Sequence, residues 1–244
     1  MSQRVFGLHA VLAVLQRHPD RVRQLWVQQG REDVRAAAVR QLAREHGLPV
    51  QPKPAAELDR MAEGGVHQGV VAEVTPAAAL GEDDLDGLVK AAGSRALLLV
   101  LDGVQDPHNL GACLRTADAA GVTAVVAPRD RAAGLTPVAR KVSTGAAESV
   151  PFVQVTNLAR TLARLKEAGV WVVGTEAEAD KALHEADLTG PLAVVMGAEG
   201  AGMRRLTREA CDFTVSLPMR GAVESLNVSV ATGIILYEAL RQRG

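Results

Sequence analysis

Three segments of the sequence combine polar side chains with glycines, and each directly follows a run of apolar residues. They span residues 101–115, 196–203 and 217–230. Their guanidinium, carboxylate and amide groups are suited to binding phosphates and hydroxyls, and their glycines let the backbone approach a ligand closely. Because ligands of open α/β sheets bind at the carboxyl ends of strands, we expect a ligand site there.

The first segment contains Asp106-Pro107-His108-Asn109-Leu110-Gly111 and continues into a helix with Arg115. Pro107 forces a turn, and Asn109 is predicted to be the N-cap of that helix. The apolar positions of the helix form a buried stripe that includes Cys113. Arg115 lies at the edge of this stripe, where its guanidinium could reach a cleft. The alternative interpretation is a surface arginine beside an ordinary helix cap.

The second segment places Glu199 among Gly197, Gly200 and Gly202. Glycines adopt positive φ freely and leave room for a ligand against the backbone. The same pattern is compatible with a tight strand-to-helix turn in which Glu199 is the first carboxylate of the helix. The glycine cluster alone does not discriminate between these interpretations.

In the third segment, Ser225 is predicted to cap a long helix that has Asn227 in its first turn. Serine and asparagine compete there with helical hydrogen bonds, so we expect another partner for them. The rest of the helix, residues 228–240, is small or apolar nearly all round. That pattern is typical of a helix buried on several sides, and it predicts packing against another subunit as well as its own sheet.

The elements that carry these segments alternate apolar strands with helices. The predicted strands are Ala96–Leu101, Val122–Ala127, Val170–Gly174, Leu192–Met196 and Phe213–Leu217. Strands that are apolar on both faces and separated by helices indicate an α/β fold with a parallel sheet covered on both sides. Trp171 is predicted to lie in the core.

The preceding part of the chain divides into a small α/β domain and a linker. Residues 1–75 alternate shorter helices and strands, while residues 76–94 hold one lysine against four acidic residues. We therefore predict a domain at 1–75, an acidic linker at 76–94 with a short helix near 84–91, and a second domain at 95–244.

Composition excludes several classes of protein. Three Phe, two Trp and one Tyr are too few for a sheet that stacks bases on aromatic rings, and two cysteines cannot build a disulfide framework. The glycine fingerprints of dinucleotide and nucleotide-triphosphate sites, the nucleophile elbow of serine hydrolases and histidines at metal-ligand spacing are all absent from the sequence. The uncharged run Ser225–Tyr237 is too short to span a bilayer, so we expect a cytoplasmic protein.

Together the three segments resemble motifs one, two and three of the SpoU (TrmH-like) RNA 2′-O-methyltransferases of the SPOUT superfamily. The residues that carry the resemblance are Asp106–Gly111 with Arg115, Gly197–Gly202, and Ser225–Ser229. It extends to Phe6–Val11 and His67–Val70, as in members that methylate a guanosine of 23S rRNA. It covers nearly the whole chain without a departure at a motif position.

The resemblance implies features that no spacing argument supplies. The C-terminal domain would be a SPOUT fold with a deep trefoil knot, and the N-terminal domain a ribosomal L30e/L7Ae-like RNA-binding domain. S-adenosylmethionine would be held without a metal by backbone near Gly197, Gly202, Leu217 and Leu226. The protein would be a homodimer that acts on 23S rRNA or an assembling large ribosomal subunit. Phosphate contacts are expected from Arg4, Arg21, Arg23, Arg31 and Arg35, although several of these could simply face water.

The implied reaction is attack of a ribose 2′-hydroxyl on the sulfonium methyl group, at the guanosine of the peptidyl-transferase P-loop. Arg115 would bind the adjacent phosphate and stabilise developing oxyanion charge, because a guanidinium with a pKa above ~12 is a poor base. Asn109 would position Arg115, and Glu199 would orient Arg115 or a backbone amide. Ser225 and Asn227 would fix the ribose and methionine ends.

Three alternatives remain open from the sequence. The same chemistry could act on tRNA or another rRNA loop, a choice that depends on the N-terminal domain rather than on the motifs. The chain could instead be a ribosome-assembly RNA-binding protein without methyl transfer, which the intact motif residues oppose. A nucleotide-dependent oxidoreductase lacks its glycine fingerprint.

Overall fold

The computed structural model describes residues 2–244, which form two compact units. The first unit comprises the chain up to Ala78 together with Thr144–Ser149, and the second comprises Ala79–Ser143 and Val150–Gly244. Among these residues, no helix is both long and apolar enough to cross a membrane.

The first unit is built on a four-stranded sheet. Its elements are β1 (Gln3–Phe6), α1 (Leu8–Arg17), β2 (Val22–Gln28), α2 (Val34–Glu45), β3 (Val50–Lys53), α3 (Ala55–Met61) and β4 (Val70–Val74). The strand order is β1-β4-β2-β3, in which β2 and β3 are parallel and the other pairs antiparallel. Alternate residues face opposite sides, so Leu25 and Val27 pack in a core with α1 and α2 residues, whereas Trp26 packs on Leu58 of α3.

The second unit is a seven-stranded, wholly parallel sheet flanked by helices. Following α4 (Glu82–Ala92), its elements are β5 (Leu97–Asp102), α5 (Pro107–Ala119), β6 (Ala124–Pro128), α6 (Pro137–Val142), β7 (Phe152–Val155), α8 (Leu158–Glu167), β8 (Trp171–Thr175), β9 (Lys181–Ala182), β10 (Leu192–Gly197), α9 (Arg205–Ala210), β11 (Phe213–Ser216) and α10 (Val228–Arg243). The short helix α7 (Ala146–Ser149), which precedes β7 in the chain, belongs to the first unit. The strand order is β7-β6-β5-β10-β8-β11-β9. The parallel sheet predicted from the apolar strands is confirmed.

The acidic segment that leads into this sheet is folded over most of its length. Helix α4 fills residues 82–92, and its Leu85 and Val89 are buried in the core of the second unit. The acidic groups serve local structure: Asp84 accepts a hydrogen bond from the backbone N–H of Gly81 at 2.8 Å, and Glu82 accepts one from that of Thr156 at 2.8 Å. Negative charge in the first turn of a helix also complements the helix dipole.

Some elements differ from the sequence prediction. Trp171 is 57% exposed and not in the core, because it is the first residue of β8 and lies at the amino end of the sheet. Strands β1, β7 and β9 were not predicted; each has four residues or fewer and shows too short an apolar pattern to be recognised.

The burial of Leu85 gives a direct test of the packing of α4. We expect Leu85→Ala to lower the free energy of unfolding by about 2–5 kcal/mol, because it leaves a cavity under the helix. The exposed Lys90→Ala on the same helix should change it by less than about 0.5 kcal/mol. Urea unfolding followed by circular dichroism measures both. Equal, small effects would mean that residues 82–92 are a free linker.

Candidate active site

The three polar segments meet at the carboxyl end of the parallel sheet. Strands β5 and β10 are neighbours in register, with Asp102 opposite Gly197 at their last residues. The first segment leaves the sheet from β5 and the second from β10, and the third follows β11. This is the edge at which α/β sheets bind ligands.

The first segment presents Asn109 from inside helix α5. Asp106 is the N-cap, accepting a hydrogen bond from the backbone N–H of His108 at 2.9 Å, and Pro107 occupies the first helical position. The predicted N-cap at Asn109 is therefore wrong. Asn109 is only 9% exposed and its amide is released from capping for contacts with other segments.

The second segment is a closed loop with Glu199 near its tip. The backbones of Ala198 and Gly202 exchange two hydrogen bonds, at 3.0 and 2.9 Å. A Cβ at Gly197 would lie 2.3 Å from the carbonyl carbon of Gly202, so only glycine fits at this crossing. Gly200 and Gly202 have φ of 76° and 66°, which glycine adopts without strain. We call residues 197–203 the glycine loop.

The third segment joins this loop through Asn227, which is the N-cap of α10. Its side chain accepts a hydrogen bond from the backbone N–H of Ser229 at 2.9 Å. The predicted cap at Ser225 is wrong: Ser225 is exposed and lies two residues before the cap. The expected extra partner of Asn227 exists, since its amide Nδ2 donates to Asn109 Oδ1 at 2.9 Å.

Asn109, Glu199 and Asn227 form a polar cluster that connects all three segments. Glu199 Oε1 accepts from Asn109 Nδ2 at 3.1 Å and from Asn227 Nδ2 at 2.6 Å, and the backbone N–H of Val228 lies at 3.5 Å. Within residues 2–244, every hydrogen bond to this carboxylate ends on Oε1. Two side-chain amides thus hold one carboxylate oxygen, and the other oxygen accepts no hydrogen bond from the described residues.

Arg115 lies apart from this cluster. Six residues of α-helix place it about 9 Å along α5 and about 120° round the axis from Asn109. Its side chain is exposed, and none of the described residues pairs with its guanidinium. Within one chain, then, Glu199 orients amides and not Arg115. The guanidinium is available to a ligand or a second chain.

The remaining predicted cofactor residues lie beside the cluster in sequence. Leu217 follows the last residue of β11, and Leu226 precedes the Asn227 cap; both are half-buried. With Gly197 and Gly202 they stay predictions for cofactor binding.

One feature of this site was missed from the sequence. Asp102, the last residue of β5, has a fully buried side chain that pairs with Arg204, just after the glycine loop. The signal was present, because an aspartate ends an otherwise apolar strand. Its distant partner could not be identified from one sequence.

The thiol near the cluster is inert. Cys113 is buried between α5 and α10, with its Sγ 3.6 Å from Thr232 Oγ1. Burial raises the pKa of Cys113 to about 11, so no thiolate is present near neutral pH. Across residues 2–244, no group of three or more histidine, cysteine or acidic side chains is arranged to hold a metal ion.

The arginines predicted for phosphate binding in the first unit differ in availability. Arg21 donates to the carbonyl of Thr75 at 2.9 Å and pairs with Glu148, and Arg31 pairs with Asp33 and the carbonyl of Gln68. In the part of the chain that the structure describes, the guanidinium of Arg35 has no partner. Arg4 and Arg23 also have partners, the carbonyl of Met61 at 3.3 Å and Thr75 Oγ1 at 3.0 Å. Of the five arginines, Arg35 is therefore the most available for a phosphate contact.

A parallel α/β sheet with a glycine loop and a carboxylate–amide cluster at its strand ends defines a ligand-binding domain of the open-sheet type. A model of the SpoU rRNA Methylase family matches residues 96–237, and a model of the RNA 2′-O ribose methyltransferase substrate binding domain matches residues 4–79. The chain belongs to the SpoU rRNA methylase family, which confirms the resemblance seen in the motifs.

Relatives and solved structures resemble the chain over its whole length. The 23S rRNA (guanosine-2′-O-)-methyltransferase RlmB of Pseudomonas putida is 59% identical over 245 residues, covering 100% of this chain and 98% of that protein. RlmB of Escherichia coli is 54% identical over 243 residues, covering 100% of both. The SpoU methyltransferase AviRb from Streptomyces viridochromogenes, solved with AdoMet, has a TM-score of 0.80 at 28% identity, covering 99% of this chain and 90% of that one.

The polar cluster makes a testable contribution to stability. Glu199→Ala removes the acceptor for two amides, and we expect it to lower the free energy of unfolding by about 1–3 kcal/mol. Glu199→Gln keeps an acceptor oxygen and should cost less. Glu209→Ala, an exposed carboxylate on α9, is the matched control. Urea unfolding compares the three, and a Glu199→Ala effect no larger than the control would contradict the network.

Proposed function

We propose that the protein transfers a methyl group from S-adenosylmethionine to the ribose 2′-hydroxyl of a guanosine in 23S rRNA, the one in the peptidyl-transferase P-loop. One observation carries the proposal: Asn109, Glu199 and Asn227, one from each motif, converge at the carboxyl end of the sheet. The chain is more than 50% identical to RlmB enzymes over both units, which supports 23S rRNA as the substrate.

The residues at this edge fit S-adenosylmethionine, which supplies an activated methyl group. The close backbone crossing at Gly197 and the positive φ of Gly202 keep side chains away from the loop, as a backbone-lined site requires. Leu217 and Leu226 are half-buried apolar residues near the two ends of the loop between β11 and α10, suited to the apolar parts of the cofactor. We assign these four residues to cofactor binding.

The chemical task of the protein is to activate a weak nucleophile. A ribose hydroxyl needs its proton removed or its developing charge stabilised as it attacks. Arg115 carries that charge stabilisation and binds the adjacent phosphate, while phosphate or water takes the proton. Asn109 and Asn227 are held by Glu199, and Asn227 with the exposed Ser225 positions the ribose and the methionine end.

Two finer features of the fold belong to the proposal. The first is a deep trefoil knot of the SPOUT type, in which the segment between β11 and α10 is threaded through a loop of the chain. The second is that the first unit is an L30e/L7Ae-like RNA-binding domain. The family matches support both features, and the helices on both sides of the sheet in the first unit also support the second. Because the proposed substrate is ribosomal RNA, the proposal includes a cytoplasmic location.

The proposed enzyme is a homodimer that packs through α10. Four large apolar side chains are exposed along this helix, at spacings that bring them to one side: Val230 (51%), Ile234 (43%), Tyr237 (51%) and Leu240 (38%). The opposite side is buried, including Ile235 and Leu236. An exposed apolar stripe of this length is typical of a protein–protein contact. Arg115 then reaches RNA at a site that both subunits build.

The activity is tested with labelled S-adenosylmethionine on transcripts of 23S rRNA and tRNA, followed by mapping of the modified nucleotide. We expect label at one 23S guanosine. Arg115→Ala should lower kcat by about a hundredfold or more, because a transition-state contact is lost. Arg160→Ala, an exposed arginine of α8, should retain full activity. Label on tRNA would contradict 23S rRNA as the substrate. Full activity of Arg115→Ala would contradict the proposed role of Arg115 in charge stabilisation.

The dimer is tested by sedimentation. The double variant Ile234→Glu/Tyr237→Glu should move the protein from the mass of two chains to that of one, because it places charge in an apolar contact. Leu206→Glu, an equally exposed apolar position on α9, is the control and should remain dimeric. A wild-type protein that sediments as a monomer at micromolar concentration contradicts the proposed contact.

A further inference from the structure

Asp102 is a buried carboxylate that none of the proposed catalytic steps uses. Its side chain has 0% exposure at the end of β5, a strand whose other residues are all apolar. Removing a charge from water is costly unless it is paired and hydrogen-bonded. Replacing such a pair with apolar groups is often neutral or stabilising, so stability alone does not account for a carboxylate at this position.

A single residue, Arg204, satisfies both oxygens of this carboxylate. The backbone N–H of Arg204 donates to Asp102 Oδ2 at 2.8 Å, and its guanidinium Nε donates to Oδ1 at 2.5 Å. Because Asp102 binds both the backbone and the side chain of Arg204, it fixes the position and the orientation of this residue. The Arg204 side chain is 47% exposed, so the pair lies at the boundary of core and solvent.

The place of Arg204 in the chain gives this contact its consequence. Arg204 directly follows the glycine loop and is the N-cap of α9, without a side-chain cap of its own. The loop departs from Gly197, which lies opposite Asp102 in the β5–β10 register. It therefore leaves the sheet beside Asp102 and is brought back to Asp102 at Arg204. Both ends of the loop are tied to one residue.

We propose that Asp102 is a positioning residue, which acts with Arg204 to hold the glycine loop in the conformation that binds S-adenosylmethionine and presents Glu199 to Asn109 and Asn227. The inference rests on the proposed function. Because its side chain is fully buried, Asp102 acts in this proposal without touching either substrate. Its effect passes through the loop, where a shift of about 1 Å is enough to cost up to a hundredfold in rate.

The test compares Arg204→Gln with Arg205→Gln, since the neighbouring arginine pairs, among residues 2–244, with the exposed Glu209 alone. Calorimetric S-adenosylmethionine affinity, kcat and the KM for RNA are measured at low temperature, where circular dichroism shows each variant folded. We expect Arg204→Gln to weaken cofactor affinity by about tenfold or more and to lower kcat, with the KM for RNA unchanged. Arg205→Gln should match the wild type.

A second variant keeps the test decisive if Arg204→Gln does not fold. Arg204→Lys retains the charge beside Asp102 but lacks the planar donor geometry, so we expect a folded protein with weakened cofactor affinity. If the folded variants lose only thermal stability and bind the cofactor as the wild type does, the pair is merely structural and the inference is overturned. If the wild type itself fails to bind S-adenosylmethionine, the proposed function fails, and the inference with it.

Discussion

The site depends on the parallel pairing of β5 with β10. These strands are neighbours at the centre of the sheet although about ninety residues separate them in the chain, and their last residues, Asp102 and Gly197, face each other. This register brings the first and second segments to one point. Because β5 and β10 are buried on both faces, shifting either strand by one residue would exchange the side chains packed in the two layers and disrupt the close packing of both. Hydrophobic burial therefore fixes the position of the polar groups.

Sequence patterns predicted what depends on local periodicity and missed what depends on tertiary partners. The apolar runs located β5, β6, β8, β10 and β11 to within about two residues, because a strand buried on both faces is apolar throughout. Both predicted helix N-caps were wrong by two or three residues. Asp106 and Asn109 are both suitable caps for α5, as Ser225 and Asn227 are for α10. Which residue of each pair caps its helix depends on contacts with the distant Glu199. The Asp102–Arg204 pair joins residues 102 positions apart, and no local pattern contains that information.

The composition of the polar cluster explains why Glu199 is a carboxylate. Two amides from different segments, Asn109 and Asn227, both direct N–H donors at one point, and a charged acceptor gives stronger hydrogen bonds than a neutral one. Asn227 Nδ2 also donates to Asn109 Oδ1, so each member bonds both others. Such a mutually bonded group resists the rearrangement of any single segment, which preorganises the loops before a ligand arrives.

Helix α10 connects this cluster to the proposed dimer contact. Its N-cap, Asn227, belongs to the cluster, one side packs on α5 through Thr232 and its neighbours, and the apolar stripe lies on the exposed side. A helix that packs against other elements on opposite sides has no polar face, and this accounts for the apolar residues on both sides of α10. Because a rigid helix transmits a shift at one face to its ends, association through the stripe would fix the position of Asn227. Dimerisation and the geometry of the site are then properties of the same element.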